Sequence, residues 1–198
     1  MERSFFGFKE IQFDYVRFPE IFSYDDNGLT YSLGEYGDLG LTPTETRVKA
    51  ITDFVAYAKE QLLPYGVDVS VDIFGYAATV PDAGGIGQNF SEISNNVDVI
   101  SSMIYPSHCG ASYFGIDRPD LYPYELVDEY MKVELPLLES LENTPVTRPW
   151  LQDFTASYLG EGYYQVYNQA QVRAQVQALA DHGVTEFLLW NAGNDYTY

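Results

Sequence analysis

Five short apolar segments recur along this chain, and each ends in a cluster of polar and aromatic residues. Stretches with helical spacing or loop composition separate them. Strands that are joined through helices lie parallel, so their carboxyl ends meet on one rim, where α/β barrels place their active sites. The five segments are Glu10–Pro19, Val67–Gly75, Val97–His108, Arg148–Phe154 and Phe187–Asn194.

Helix signals fill the intervals between these segments. Thr42 and Glu45 form a capping box with Pro43 at the first helical position, and apolar residues then follow at helical spacing. Further helical spacing precedes Gly183, a typical helix stop. The sequence predicts helices from Pro43 to about Leu62, from about 124 to 141 with a break or kink at Pro136, and from about 170 to 182.

Five strands do not close an eight-stranded barrel. A complete (β/α)8 barrel takes about 250 residues, and this chain has 198. We therefore expect one α/β domain over residues 1–198, a partial TIM barrel of about five parallel strands with intervening helices. The alternative is an open sheet that imitates the second half of a barrel.

Charge and composition exclude several classes of function. Ten basic and 29 acidic residues give a net charge of -19, which repels phosphate backbones and makes nucleic acid an unsuitable partner. No apolar stretch approaches the roughly 18 residues of a membrane span, and the start MERSFFGF is not a signal peptide. If the parent protein is exported, we expect the signal to lie outside this chain.

No metal site or cofactor is expected. Cys109 is the single cysteine, so the chain has no internal disulfide framework. His108 has no second His or Cys at ligand spacing. The run Asp25–Asn27 suggests a calcium loop only weakly, because the alternating ligands and terminal Glu of such loops are absent.

Alternation within the first two apolar segments places two aspartates on one predicted face. Apolar residues should pack on the outer helices, so Gln12 and Asp14 turn toward the barrel axis. The same alternation turns Ser70 and Asp72 inward from the next strand. The apolar residues of the opposite face are Ile11, Phe13, Val69, Val71 and Ile73.

Six segments in this order and spacing resemble a bacterial family of glycoside hydrolases with a TIM-barrel, α-amylase-like catalytic domain. The resemblance covers nearly the whole chain and implies strands four to eight, so that the parent's N-terminal barrel strands are missing here. It also implies a carbohydrate substrate. Cys109 departs from the pattern by following His108 where an aromatic residue is more usual. The segments are EIQFDYVRFP, VDIFG, IGQNF, MIYPSH, RPWLQDFT and LLWNAGN.

Hydrolysis of a glycosidic bond uses two carboxyl groups, one to protonate the leaving oxygen and one to attack the anomeric carbon or activate water. Asp14 and Asp72 end adjacent predicted strands, and such side chains can approach the roughly 5 to 5.5 Å of retaining enzymes. We expect Asp14 to be the nucleophile and Asp72 the acid/base. Barrels of the α-amylase type, which use acids after strands four and five, support this assignment by analogy.

Aromatic and amide side chains at the strand ends are the predicted sugar contacts. Eighteen Tyr and two Trp supply flat rings that stack on sugar faces and still hydrogen-bond at their edges. A neutral or basic polysaccharide or oligosaccharide is the expected substrate. The candidate binding residues are Gln12, Arg17, Tyr105, His108, Trp150, Gln152, Trp190 and Asn191.

Each candidate also has a structural interpretation. Asp14 can be a structural acid paired with Arg17, Asp72 can cap the loop that follows it, and the rings can pack in the core. Asp153 falls on the opposite strand face from Trp150 and Gln152. His182 is interpreted as a cap at the end of a helix. Two functional alternatives remain: a carbohydrate-binding barrel without catalysis, and an inactive fragment of a longer enzyme.

Overall fold

The computed structural model describes residues 7–20, 28–80, 83 and 85–197. These residues form an α/β fold in which five parallel strands alternate with helices, as in part of a (β/α)8 barrel, and this confirms the predicted fold class. The strands are β1 (Glu10–Phe13), β2 (Asp68–Phe74), β3 (Val99–Met103), β4 (Val146–Thr147), β5 (Trp150–Gln152) and β6 (Leu188–Trp190). The helices are α1 (Pro43–Leu62), α2 (Phe90–Ser94), α3 (Pro123–Glu139) and α4 (Gln169–Asp181).

Hydrogen-bonded strands follow the order β1-β2-β3-β5-β6, and the short β4, which the sequence did not predict, pairs with β3. The chain divides into two compact units, which are described separately below. The first comprises Met1–Ile100 and Leu138–Val146, and the second comprises Ser101–Leu137 and Thr147–Tyr198. Among the described residues, no helix combines the length and hydrophobicity needed to span a bilayer.

Helix α1 begins as its sequence predicts. The Thr42 hydroxyl accepts from the Glu45 N–H at 3.3 Å, and Glu45 Oε2 accepts from the Thr42 N–H at 2.8 Å. Pro43 occupies the first turn, where its missing N–H costs no helical hydrogen bond. The helix buries Val48 and Val55 against the rest of the first unit.

Strands β1 and β2 pair in parallel, with Gln12 opposite Ser70 and Phe13 opposite Val71. The Phe13 ring meets Phe54 of α1 edge-on, with centroids 5.6 Å apart. The helix-facing side of β1 is therefore the apolar one, as alternation predicts, and Gln12 lies on the opposite side. The strand core of this unit consists of Val69, Val71 and Ile73, each at most 1% exposed.

Helix α3 contains a buried carboxyl group. Glu134 is fully buried and accepts hydrogen bonds from the Ser102 hydroxyl at 2.6 Å and from the Thr147 hydroxyl. Burial raises the pKa of Glu134 above its ordinary value of 4.5. The predicted break at Pro136 is wrong: the helix continues through this residue to Glu139, although proline supplies no N–H for an intrahelical hydrogen bond.

Helix α4 has a capping box that the sequence analysis did not identify. The Asn168 side chain accepts from the Ala170 N–H at 2.9 Å, while Gln171 Oε1 accepts from the Asn168 N–H at 3.2 Å. At the other end, His182 is the C-cap residue, as predicted, and its Nε2 lies 2.8 Å from Asp128 Oδ1. The start of α4 is thus capped by its own first residues, and the side chain of its C-cap residue contacts α3.

Candidate active site

Asp72 and Gln12 meet across the first two strands. Gln12 Nε2 donates a 2.6 Å hydrogen bond to Asp72 Oδ1, and the Asp72 residue is only 8% exposed. Because the two side chains touch, they share one face of the sheet, which is the arrangement that alternation predicts. Asp72 is therefore a largely buried carboxyl with a neutral amide fixing one of its oxygens.

Asp14 lies one residue beyond β1, in a tight turn. Its Oδ1 accepts a 2.7 Å hydrogen bond from the Tyr15 N–H, and the Arg17 N–H donates to the Tyr15 carbonyl at 2.7 Å. Tyr15 has a φ of 55°, a left-handed conformation that few residues other than glycine adopt and that is often found at functional sites. The turn leaves Asp14 exposed, with its carboxylate oriented by backbone.

Arg17 has partners other than Asp14. Its guanidinium lies 3.7 Å from Glu20 Oε1 and covers the rings of Phe74 and Tyr15, at 4.9 and 5.2 Å from their centroids. No ion pair joins Arg17 to Asp14 in the part of the chain that the structure describes. The structural interpretation of Asp14 as the partner of Arg17 is therefore wrong.

Gln88 ties the ends of β1 and β2 together, a role that the sequence analysis did not identify. It is 1% exposed; its Nε2 donates to the Val16 carbonyl at 3.1 Å, and its Oε1 accepts from the Phe74 N–H at 3.1 Å. The preceding Gly87 lies close to α1: it has a φ of +77°, and a Cβ there would lie 2.8 Å from the Arg47 carbonyl oxygen. Gln88 of the IGQNF segment thus joins the turn after Asp14 to the end of β2, the strand that contains Asp72.

In the second unit, rings gather where β3 and β5 end. The Tyr105 ring contacts His108 edge-on at 5.1 Å between centroids and Phe154 at 6.1 Å. Tyr105 is buried, whereas His108 is exposed. The structure therefore brings Tyr105 and His108 together, with His108 as the accessible member.

The two tryptophans form a second ring pair in this unit. Trp150 and Trp190 are perpendicular, with centroids 6.1 Å apart. Trp190 is 43% exposed and lies opposite Gln152 in the strand register. The half-exposed Trp190 indole is thus held against the Trp150 ring at the end of β6.

Gln152 is fully buried, and its amide bonds to protein groups. Its Oε1 accepts from the Ser107 N–H at 3.0 Å, and its Nε2 donates to Asp120 Oδ1 at 2.9 Å and to the Phe154 carbonyl at 3.0 Å. These contacts fix the segment that carries His108. They favour a positioning role for Gln152 over direct contact with a ligand.

Asp120, which the sequence analysis did not identify, completes this buried layer. Its Oδ2 accepts from the Gln165 N–H at 3.1 Å, and its carbonyl accepts from the Tyr167 hydroxyl at 3.1 Å. Burial raises the pKa of Asp120 above its ordinary 3.8, partly offset by its hydrogen bonds. The nearby Cys109 thiol has a pKa raised by burial to about 12, so it stays protonated at neutral pH.

Asn191 and Asp153 shape the turn after β6. Asn191 Nδ2 donates to the carbonyls of Asp153 and Asp195 at 2.5 and 2.8 Å, and its Oδ1 accepts from the Gly193 N–H at 2.8 Å. Asp153 is 1% exposed and accepts from the Thr197 N–H at 2.8 Å. Both side chains therefore hold backbone in place.

The described ranges contain no cluster of three or more His, Cys, Asp or Glu side chains that could hold a metal ion. Asp25, Asp26 and Asn27 lie outside the described residues. The first unit thus holds Asp72 with its Gln12 support and, beyond β1, the backbone-oriented Asp14. The second unit, described by itself, holds exposed rings beside a buried polar layer.

Residues 2–196 match the family described as DUF4015, "putative glycosyl hydrolase domain". The chain belongs to this family. Membership confirms the resemblance drawn from the six sequence segments, and it covers both units. No curated protein sequence matches the chain.

Two solved structures are similar to this family member. The glycoside hydrolase domain of PgaB (BpsB) from Bordetella bronchiseptica has a TM-score of 0.57 at 15% identity, over 93% of this chain and 52% of that one. The glycoside hydrolase family 17 β-1,3-glucanosyltransferase from Rhizomucor miehei has a TM-score of 0.46 at 10% identity, over 79% and 49%. The chain thus spans about half the length of these proteins, and it shares the fold of the first.

Proposed function

We propose that this chain supplies the catalytic carboxyl groups of a retaining glycoside hydrolase in a barrel that further N-terminal strands complete. Asp14 is the nucleophile and Asp72 the acid/base. The observation that carries the proposal is the 2.6 Å hydrogen bond from Gln12 to Asp72 across two strands in parallel register. Family membership supports the same class of reaction.

The strand register supports a close carboxyl pair. Gln12 lies opposite Ser70 and Phe13 opposite Val71, where the paired register ends. Asp14 follows Phe13 as Asp72 follows Val71, so the two aspartates come directly after the last paired residues. Neighbouring strands lie about 4.8 Å apart. That spacing suits the roughly 5 to 5.5 Å of retaining enzymes better than the roughly 6.5 to 9.5 Å of inverting ones.

In the proposed reaction, Asp14 attacks the anomeric carbon while Asp72 gives its proton to the departing glycosidic oxygen, and a covalent glycosyl-aspartate forms. Asp72 then takes a proton from water as that water attacks the anomeric carbon and releases Asp14. The Tyr15 N–H orients the Asp14 carboxylate, and Gln12 holds Asp72 without itself titrating. Reactants and products balance as the addition of one water.

The accessible rings of the second unit are the proposed glycan contacts. Trp190 and His108 offer a flat face and a polar edge, and Trp150 and Tyr105 support them. Gln152 and Asn191 position backbone around these rings, while Arg17 holds the loop after Asp14. These ring pairs also favour the second candidate function, carbohydrate binding without hydrolysis.

A comparison of Asp14→Asn with Asp72→Asn distinguishes the two functions. With aryl glycosides carrying a good leaving group, the Asp72 variant should retain glycosylation, because that leaving group needs no proton. The Asp14 variant should be inactive and regain turnover only when azide replaces the carboxylate. Unchanged turnover in both variants, on a substrate that the unmodified protein cleaves, would exclude this pair.

A further inference from the structure

A cavity of about 390 Å³ lies in the first unit, between the segment after β1 and the first turns of α1. This volume falls within the roughly 300 to 1,000 Å³ of small-molecule sites. The proposed reaction assigns it no role. Its described walls combine aliphatic side chains with rings and hydroxyls. The aliphatic ones are Leu33, Leu41, Pro43 and Ala50, and the ring- or hydroxyl-bearing ones are Phe18, Tyr31, Ser32, Tyr36 and Thr46.

The walls suit a neutral sugar better than other ligands. Tyr31 is 47% exposed and presents a flat ring, and the hydroxyl-bearing Ser32 and Thr46 lie in the same walls. A net charge of -19 opposes the entry of phosphates or other anions.

The cavity and Asp14 share one anchored segment. Phe18 follows Asp14 by four residues, so their Cα atoms are at most about 14 Å apart. The Phe18 N–H donates to the Ile86 carbonyl at 2.8 Å, and Gln88 holds the Val16 carbonyl between them. One oligosaccharide is long enough to reach both places.

We propose that this cavity is a carbohydrate subsite that holds a sugar residue of the substrate beyond the two that flank the cleaved bond. The inference rests on the proposed function for its substrate class. It makes oligosaccharide length, rather than bond chemistry alone, a determinant of affinity. In this proposal Tyr31 and Tyr36, which line the cavity, contact the sugar residue.

The test is calorimetric titration of the chain with cello-, laminari- and chito-oligosaccharides from dimer to hexamer. Tyr31→Ala removes a ring, and Ala50→Phe fills the cavity from α1, where Ala50 lines it. For the oligosaccharide series that binds, both variants should bind the longest oligomer about tenfold more weakly and the dimer unchanged. Tyr57→Ala, which removes a 61% exposed ring of α1 outside the cavity, is the matched control and should change neither.

Failure of this inference can be told apart from failure of the proposed function. Unchanged affinity for the longest oligomer in both variants, with folding verified by circular dichroism, would overturn the subsite even if the protein hydrolyses glycans. A length-dependent loss confined to the two cavity variants would support the subsite even if no hydrolysis were found. An equal loss of affinity for the longest oligomer in the Tyr57→Ala control would also overturn the proposed subsite.

Discussion

The side-chain amide of Gln12 donates a 2.6 Å hydrogen bond to Asp72, a residue 60 positions later in the sequence. An amide has no titratable proton, so it orients the carboxyl group without competing as an acid or a base. The contact joins β1 to β2 at the side chains that the proposed chemistry uses. Substitution of Gln12 is therefore the first test of that chemistry.

Replacing Gln12 with Leu should slow hydrolysis while leaving the fold intact. Asp72 is a neutral acid in the glycosylation step, and a neutral hydrogen bond contributes about 0.5–1.5 kcal/mol, so kcat/KM should fall roughly 2- to 10-fold. The pH-rate profile should also shift on the limb that reports the acid/base. Kinetics across pH check this, with Gln61→Leu on the exposed surface of α1 as control; an unaltered pH profile would separate Gln12 from the reaction.

Gln88 should be important for stability. Gln88→Leu leaves the Val16 carbonyl and the Phe74 N–H without their side-chain partner, at a cost of about 1–3 kcal/mol each. We expect Tm to fall by about 5 °C or more, measured by thermal unfolding. The same Gln61→Leu control should leave Tm nearly unchanged, and an equally small effect at Gln88 would show that the two loop ends do not depend on it.

Stability should depend on pH through Glu134. Its folded pKa is raised by burial, so the stabilisation is fully present below its ordinary 4.5 and is lost as pH rises through the folded pKa. Glu134→Gln cannot titrate, so Tm of the unmodified protein minus Tm of this variant should be largest in acid and decline toward neutral pH. Thermal unfolding of both proteins over a series of pH values measures this difference in Tm. Glu139→Gln, at an exposed position on the same helix, is the control. A difference that is constant or grows with pH would contradict the assignment.

Trp190 should contribute to ligand affinity more than to folding. The ring is 43% exposed, so Trp190→Ala removes a stacking face at a modest cost in packing. We expect about tenfold weaker oligosaccharide binding and little change in Tm. Calorimetry and thermal unfolding of the same preparation decide between the roles, because a large fall in Tm with unaltered affinity would assign Trp190 to the core.

Local patterns are sufficient to predict the five parallel strands, the start of α1 and the shared face of Gln12 and Asp72, but not the short β4. The capping box at Thr42 and the period of two in β1 each depend on residues a few positions apart, which a sequence displays directly. Pro136 shows the limit of such a rule. Proline removes one intrahelical hydrogen bond, but tertiary packing can outweigh that local cost, and α3 continues to Glu139.

The buried amides could not be predicted in the same way. Gln88 bonds to backbone atoms as far as 72 positions away, and Gln152 reaches Asp120 across 32. Backbone atoms carry no residue identity, so no pairing pattern marks them in the sequence. Position at a strand end suggested ligand contact for Gln152, whereas its burial is visible only in the fold.

The most direct measurement of the central claim is to trap the glycosyl-enzyme intermediate. A 2-deoxy-2-fluoro glycoside with a good leaving group should react with the protein, together with any N-terminal barrel strands of its parent, and leave the sugar covalently attached. We predict that proteolysis and mass spectrometry will locate the label on Asp14. For glycosides with poor leaving groups, the unmodified protein should be labelled faster than the Asp72→Asn variant. A label on another carboxylate, or turnover of the parent substrate with inverted anomeric configuration, would contradict Asp14 as the nucleophile of a retaining enzyme.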